Sequence, residues 1–377
     1  GTTWSNFLPT IQLASVIGLL GMTWLILIIS AFIGFGLYTP IKRQRFIALS
    51  LACVLCAGNI LFGYITLQNA PVKNPPSIHV ITVQPNIPQS EKWNPLYAKK
   101  NMEKLVQTSE DAIRYAPDKT LPILLVWPET ALSYHSTEQD NFFPDLMAQL
   151  TENQKYDVSL ITGALTREIN RAERKYNYQN AALYIDKNGK NIHQYVKTHL
   201  VPFGEYIPFQ KLIPLKTVTG FNGFQKGNGS EIFTVGNGLK FMPKICYEII
   251  FPNEMTLNES PWDAQAQHKN AIIHVTNDGW YGNSPGPYQH QSIALIRAIE
   301  NNALVFRAAN KGISAIISPQ GRVLAKANLE NKGAAAASIS LDNSNASFYT
   351  RLGLWVVMLL TCLPLLAIIV LNGYKKA

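Results

Sequence analysis

Acidic residues are missing from both ends of this 377-residue chain; the first is Glu91 and the last Asp342. Charge is sparse throughout, at 15% Asp, Glu, Lys and Arg, against roughly 25% in ordinary soluble domains. Apolar ends without a single carboxylate exclude a uniformly soluble globule. Disorder is excluded as well, because 47% of the residues are apolar and 10% aromatic, enough to bury a core. The net charge of +9 does not make a nucleic-acid binder. Residues 68–350 hold 27 Lys+Arg against 24 Asp+Glu, so membrane topology explains the basic flanks better than a polyanion partner.

Cysteine is scarce too, with four in the chain. Cys53, Cys56 and Cys362 lie in apolar runs, where small buried thiols are expected rather than a redox or zinc pair. Cys246 has no partner for an intramolecular disulfide in the remainder of the chain. In an oxidising compartment a lone thiol is either chemically employed or an inert core residue. The chain has no H-E-x-x-H, no paired Cys/His ligand spacing, no G-x-S-x-G elbow and no phosphate loop ending in Lys-Ser/Thr. Zincin, serine-hydrolase and P-loop chemistry therefore lack their usual marks. His274 and His290 read as structural.

Three long charge-free runs are present: Ile11–Tyr38, Phe46–Leu67 and Leu352–Leu371. A helix of about 20 residues crosses a hydrocarbon core of ~30 Å, so each is expected to span a membrane. Lys42, Arg43 and Arg45 sit between the first two runs, and Lys375 and Lys376 follow the third. The positive-inside rule places both clusters in the cytoplasm and residues 68–350 outside, which is the periplasm in a two-membrane bacterium. The expected organisation is 1–67 with two membrane helices (about 11–38 and 46–67), 68–350 as an outer catalytic domain, and 351–377 as a third helix and tail. The chain opens at Gly1 without Met, and an incomplete or processed N-terminus is expected.

Between the membrane runs, strand and helix patterns alternate. Strands are expected at Ile78–Gln84, Ile123–Trp127, Val158–Thr162, Ala181–Ile185, Ile192–Val196, Leu239–Ile245, Ala271–Thr276, Val305–Ala309 and Ile313–Ser318, with helices at Leu96–Tyr115 and Gln289–Asn302. This argues for an α/β domain with a central sheet covered by helices. Four polar residues follow directly on buried strands: Glu129, Lys197, Cys246 and Asn277. Strand ends are where α/β sites gather. A thiol becomes a strong nucleophile when a base takes its proton. Glu129 suits that task, Lys197 suits a developing oxyanion, and the Tyr247 backbone N–H offers a second donor. Together they are a toolkit for acyl transfer through a thioester. Asn277 and Asp278 read as turn formers.

The segments VWPET (126–130), KTHLVPFGEYIP (197–208), ICYEII (245–250) and TNDGWYG (276–282) resemble the signature blocks of the nitrilase, or carbon–nitrogen hydrolase, superfamily. Their spelling, with VQPNIPQSEKW (83–93) and the flanking membrane runs, is similar to the bacterial apolipoprotein N-acyltransferase branch. The resemblance implies a nitrilase-type α-β-β-α sandwich on a transmembrane helical bundle. It implies Glu129 as general base, Lys197 as catalytic lysine and Cys246 as nucleophile. Glu205, Tyr247, Glu248 and Trp93 match supporting positions. It implies a phospholipid donor, preferably phosphatidylethanolamine, a diacylglyceryl apolipoprotein acceptor, no metal or cofactor, a monomer, and a multi-pass protein of the bacterial inner membrane. Phe203, Tyr206, Phe209, Phe221 and Phe224 are read as an apolar lid or as ordinary loop packing. Two rivals stay open: a membrane-tethered amidase or nitrilase using water, and an inactive lipoprotein-binding relative. A Cys–His hydrolase using His274 or His290 is weaker still.

Overall fold

The computed structural model describes residues 2–69, 74–118, 120–152, 155–170, 174–208, 223–255, 268–341, 345–359 and 361–362. The chain begins with α1 (Leu8–Ile11), α2 (Ala14–Tyr38) and α3 (Lys42–Gln68). At 25 and 27 residues, α2 and α3 are long and apolar enough to cross a membrane. The uninterrupted helix expected over Ile11–Tyr38 is broken. Gly18 leaves the helical region with φ 66° and ψ 176°. The Tyr349 ring stands where a side chain would begin, 2.3 Å from an ideal Cβ, so the break needs glycine. Helix α3 starts at Lys42 rather than Phe46, taking the basic cluster into its first turn. Half of the third run, residues 360 and 363–371, lies outside the described residues.

The strands are β1 (Ile78–Gln84), β2 (Ile123–Val126), β3 (Val158–Asn170), β4 (Lys175–Ile185), β5 (Asn191–Val196), β6 (Phe233–Thr234), β7 (Lys240–Ile245), β8 (Ala271–Thr276), β9 (Leu304–Ala309), β10 (Ala315–Ile317), β11 (Val323–Lys326) and β12 (Gly333–Ile339). They form two six-stranded sheets, ordered β12-β1-β2-β3-β4-β5 and β11-β10-β9-β8-β7-β6. The alternation of strands and helices pointed to one central sheet, and here there are two. The reason lies in β1, β2 and β8, which are buried along their whole length. A strand apolar on both faces needs a layer on each side.

Period-2 alternation sorts these strands into layers. Val80, Leu124 and Val126 meet Ile245, Ile273 and Phe306 between the sheets. Their neighbours Ile81, Ile123 and Leu125 turn outward onto α5 (Ala98–Arg114) and α7 (Phe142–Leu150) through Leu105, Ile113 and Met147. Shorter helices, α4 (Gln89–Lys92) and α6 (Tyr134–Thr137), lie in the connections. On the other flank Ile272 and Val305 pack beneath α8 (Gly286–Asn301), where Ile11, Ala14 and Met22 of the N-terminal helices join them. The result is an α-β-β-α sandwich whose outer helix α8 rests against α2. Helix α9 (Phe348–Leu352) follows on the C-terminal side, and residues 355–359 are helical again. Strands β1–β2–β3 and β7–β8–β9 run parallel, so their carboxyl ends share one edge of each sheet, where loops can converge on a site.

Candidate active site

Glu129 sits two residues beyond Trp127, which continues β2 by donating its backbone N–H to Ile161 O (2.8 Å). The Trp127 indole is buried and donates to Ser109 Oγ at 2.9 Å. The chain then turns back at Thr130, whose φ is 46°. Ala131 and Leu132 both donate to Gly163 O on β3. The turn lies so close to β3 that a Cβ on Gly163 would stand 2.5 Å from Pro128 O and 2.6 Å from Glu129 Cα. Only glycine lets the Glu129 turn settle there. Gly163→Ala is expected to displace it, lowering turnover at the Cys246 cavity roughly 10- to 100-fold and stability by about 1–3 kcal/mol. Paired turnover and thermal-unfolding measurements check this, and unchanged turnover would remove the positioning role.

Lys197 follows β5 and is fully buried. Its Nζ donates to Glu205 Oε1 at 2.8 Å and lies 3.7 Å from Glu129 Oε1. Burial alone would push this amine down, but the Glu129 and Glu205 carboxylates outweigh it and raise it above the ordinary lysine range. Asn180 on β4 completes the cluster, its Nδ2 donating to Glu129 Oε1 (2.8 Å) and Glu205 Oε1 (3.2 Å). Glu205 is held by Val201, whose N–H donates to Oε2 at 2.9 Å. Lys92 of α4 donates from Nζ to Glu129 O at 2.8 Å. Burial lowers Lys92 to about 8, against the pull of Glu129 and Cys246.

Cys246 ends β7 with φ 52°, a left-handed backbone that costs a non-glycine residue about 1–2 kcal/mol and marks a position held by its surroundings. It opens a short 3-10 turn, Cys246–Ile250. Glu248 is buried and acts as a clamp for this turn. Its Oε1 accepts from Thr198 N, Thr198 Oγ1, His199 N and Tyr195 Oη, and its Oε2 accepts from Ile245 N. His274 and His290 reach the same turn from behind, each donating from Nε2 to Cys246 O (3.1 and 3.3 Å). Arg307 Nη1 donates to His274 Nδ1, and Arg307 Nη2 donates to Asp278. Burial, then the Arg307 charge, holds His274 well below the usual histidine range.

Burial and the Glu129 carboxylate push the Cys246 thiol up to about 12, with Lys197 opposing. The free thiol is therefore protonated at neutral pH, and to act as a nucleophile it would need a base. Alkylation of Cys246 by a neutral haloacetamide is expected to keep rising from about pH 7 to pH 10. A free cysteine is half ionised at ~8.5 and levels off about one pH unit above that, so a plateau by about pH 9.5 would show that the thiol is not shielded.

Glu129, Lys197, Glu205, Cys246, Tyr247 and Trp93 line one cavity of about 480 Å³. Its other walls include Asn180, Asn277, Trp280 and Tyr281. Glu248 stands behind the wall. Asn180 escaped the sequence pattern because it lies inside a strand rather than at its end. Asn277, read as a turn former, does cap the next turn by accepting from Gly279 N (3.3 Å), and it also faces the cavity. Of the aromatic residues read as a lid or loop packing, Phe203 is 52% and Tyr206 37% exposed, whereas Phe224 is buried against Leu165 and Leu200. Phe209 and Phe221 lie outside the described residues. No group of three or more His, Cys, Asp or Glu able to hold a metal ion occurs among the described residues.

A half-buried thiol, a buried paired lysine and a buried carboxylate thus meet at the strand ends of an α-β-β-α sandwich, an arrangement suited to cysteine chemistry on acyl groups. The carbon–nitrogen hydrolase family model matches residues 82–347, and the chain belongs to that family. Among its relatives are proteins named apolipoprotein N-acyltransferase. That of Allorhizobium ampelinum is 35% identical over 335 residues, covering 88% of this chain and 60% of its own length. That of Brucella suis is 35% identical, covering 94% and 65%. That of Rickettsia prowazekii is 31% identical, covering 93% and 66%. The chain thus spans 60–66% of the length of these relatives.

Proposed function

We propose that the protein is a membrane-bound N-acyltransferase that moves an acyl chain from a phospholipid to the N-terminal amine of a diacylglyceryl-cysteine lipoprotein. Two things support the reading: the names of the relatives, and the cavity that Cys246 shares with Glu129 and Lys197 between aromatic walls. In the first half-reaction Glu129 takes the Cys246 proton as sulfur attacks the ester carbonyl. Lys197 and the Tyr247 N–H face the oxyanion. As the C–O bond breaks, Glu129 returns the proton to the leaving alkoxide, giving lysophospholipid and a thioester. The acceptor amine then attacks, Glu129 takes its proton, and sulfur departs and is reprotonated. Glu205 and Asn180 hold Lys197 and Glu129, Glu248 holds the nucleophile turn, and Trp93 contacts the acyl chain.

Residues 1–67 and 351–377 form the membrane part and 68–350 the catalytic domain. The basic cluster at Lys42, Arg43 and Arg45 supports a periplasmic position for that domain at a bacterial inner membrane. Phosphatidylethanolamine is the donor expected, and the enzyme works as a monomer. The test is direct. The full chain is incubated with phosphatidylethanolamine vesicles, and the Cys246 peptide should gain one acyl mass. A diacylglyceryl-cysteine peptide should then discharge the thioester faster than water does. An unchanged mass on a folded protein with a reactive thiol would sink the thioester step. Discharge to water alone would make the protein a tethered hydrolase.

A further inference from the structure

Helix α8 runs from the nucleophile to the broken membrane helix. Near its start His290 donates to Cys246 O. One turn before its end, Arg297 reaches the other side of the nucleophile turn. Its Nε donates to Ile249 O (2.9 Å) and its Nη2 to Ile250 O (3.0 Å). The third arm of the guanidinium, Nη1, donates to Glu300 Oε2. Glu300 spends its remaining oxygen on α2: Oε1 accepts the backbone N–H of Leu19 at 2.6 Å. That N–H follows Gly18, where the helical ladder is interrupted. Arg297 and Glu300 are 1% and 0% exposed. Their backbone surroundings tie in the C-terminal side too, since Ser347 and Thr350 both donate to Glu300 O.

Two buried charges thus join the break in a membrane helix to the turn that carries the thiol. A buried pair is a weak source of stability, because desolvation offsets most of the attraction. Its geometric effect is stronger, since all the bonds above need both elements in register. We infer that Arg297 and Glu300 are positioning residues that seat the Cys246 turn on the Gly18 break of α2, so that the first membrane helix is part of the active-site frame. This rests on the reading above only in taking Cys246 as the nucleophile.

The inference is tested in the full-length protein with three variants and two readouts. Glu300→Gln sets an amide against Arg297. Arg297→Met/Glu300→Leu removes both charges together and keeps the variant foldable. Gly18→Ala drives a side chain into Tyr349. The charged and hydroxyl groups facing the thiol (Glu129, Lys197, Lys92, Asp278, Thr276 and Tyr281) are unaltered in all three. Each variant is expected to lower the acylation kcat at least about tenfold with little change in KM. In each, water reaching the loosened turn should move the midpoint of Cys246 alkylation down by about one pH unit or more. Leu146→Ala, in the far helix layer, should lower the melting temperature and move neither readout. Alkylation needs no acyl donor, so a wild-type protein that takes no acyl group would reject the transfer reading and leave this test standing. Folded Gly18→Ala and double-variant proteins with wild-type alkylation profiles and kcat would overturn the inference.

Discussion

Cys246→Ser is expected to abolish the proposed acyl transfer, by at least about 10³-fold, while the protein stays folded. The expectation follows from the proton that must leave the nucleophile. The Cys246 thiol is already pushed up to about 12 by burial and by Glu129. A serine hydroxyl in the same place resists ionisation more strongly still, and Glu129 is a weaker match for it. Oxygen for sulfur alters the packing little, so a stability change within about 1 kcal/mol is expected. Cys246→Ala should be equally inactive. Cys246→Gly should be no less stable than the alanine variant, because φ of 52° penalises any residue with a Cβ. Intact-mass measurement after incubation with phospholipid reads the chemistry, and thermal unfolding reads the fold. A serine variant that still gains acyl mass would move the nucleophile elsewhere.

Much of this site could be read from residue order because its members follow strand ends. Ile78–Gln84 and Ala271–Thr276 are strands over the ranges their apolar runs suggested, and Glu129, Lys197 and Cys246 meet at one cavity. Strand β12 was not legible. Its GAAAASI sequence has weak strand preference, and what extends it is the antiparallel ladder with β1 from Ile78↔Ile339 to Gln84↔Gly333. The Gly18 break was equally hidden, since its cause, the Tyr349 ring, lies 331 positions away in the chain. His274 and His290 were read as structural. They do sit in a buried polar network, but that network ends on the carbonyl of Cys246. Periodicity reports which face a residue takes, and it is silent on which distant group meets it there.

Lys197→Met carries the second large expected effect, on stability and activity together. The amine is buried between Glu129 and Glu205, themselves only 7% exposed each. Removing it leaves two carboxylates that share Asn180 Nδ2 and have lost their common cation. Breaking a buried pair in this way costs about 3–5 kcal/mol. The sign of the pH dependence follows from Lys197 being raised in the folded state. A raised amine contributes its stability fully below the unfolded value of roughly 10.4 and loses it as pH climbs through the higher folded value. The gap between wild type and Lys197→Met should therefore be flat from about pH 6 to 10 and narrow above that. Activity should fall roughly 10²- to 10⁴-fold, since the oxyanion loses its cation and Glu129 loses the neighbour that helps hold it in place. Lys197→Arg separates the two effects. It keeps the charge, so most of the stability should return. The planar guanidinium cannot occupy the point position 2.8 Å from Glu205 and 3.7 Å from Glu129 without moving one of them, so activity should remain low. An arginine variant as active as wild type would reduce Lys197 to a counter-ion, with no part in aiming charge at the reacting carbonyl.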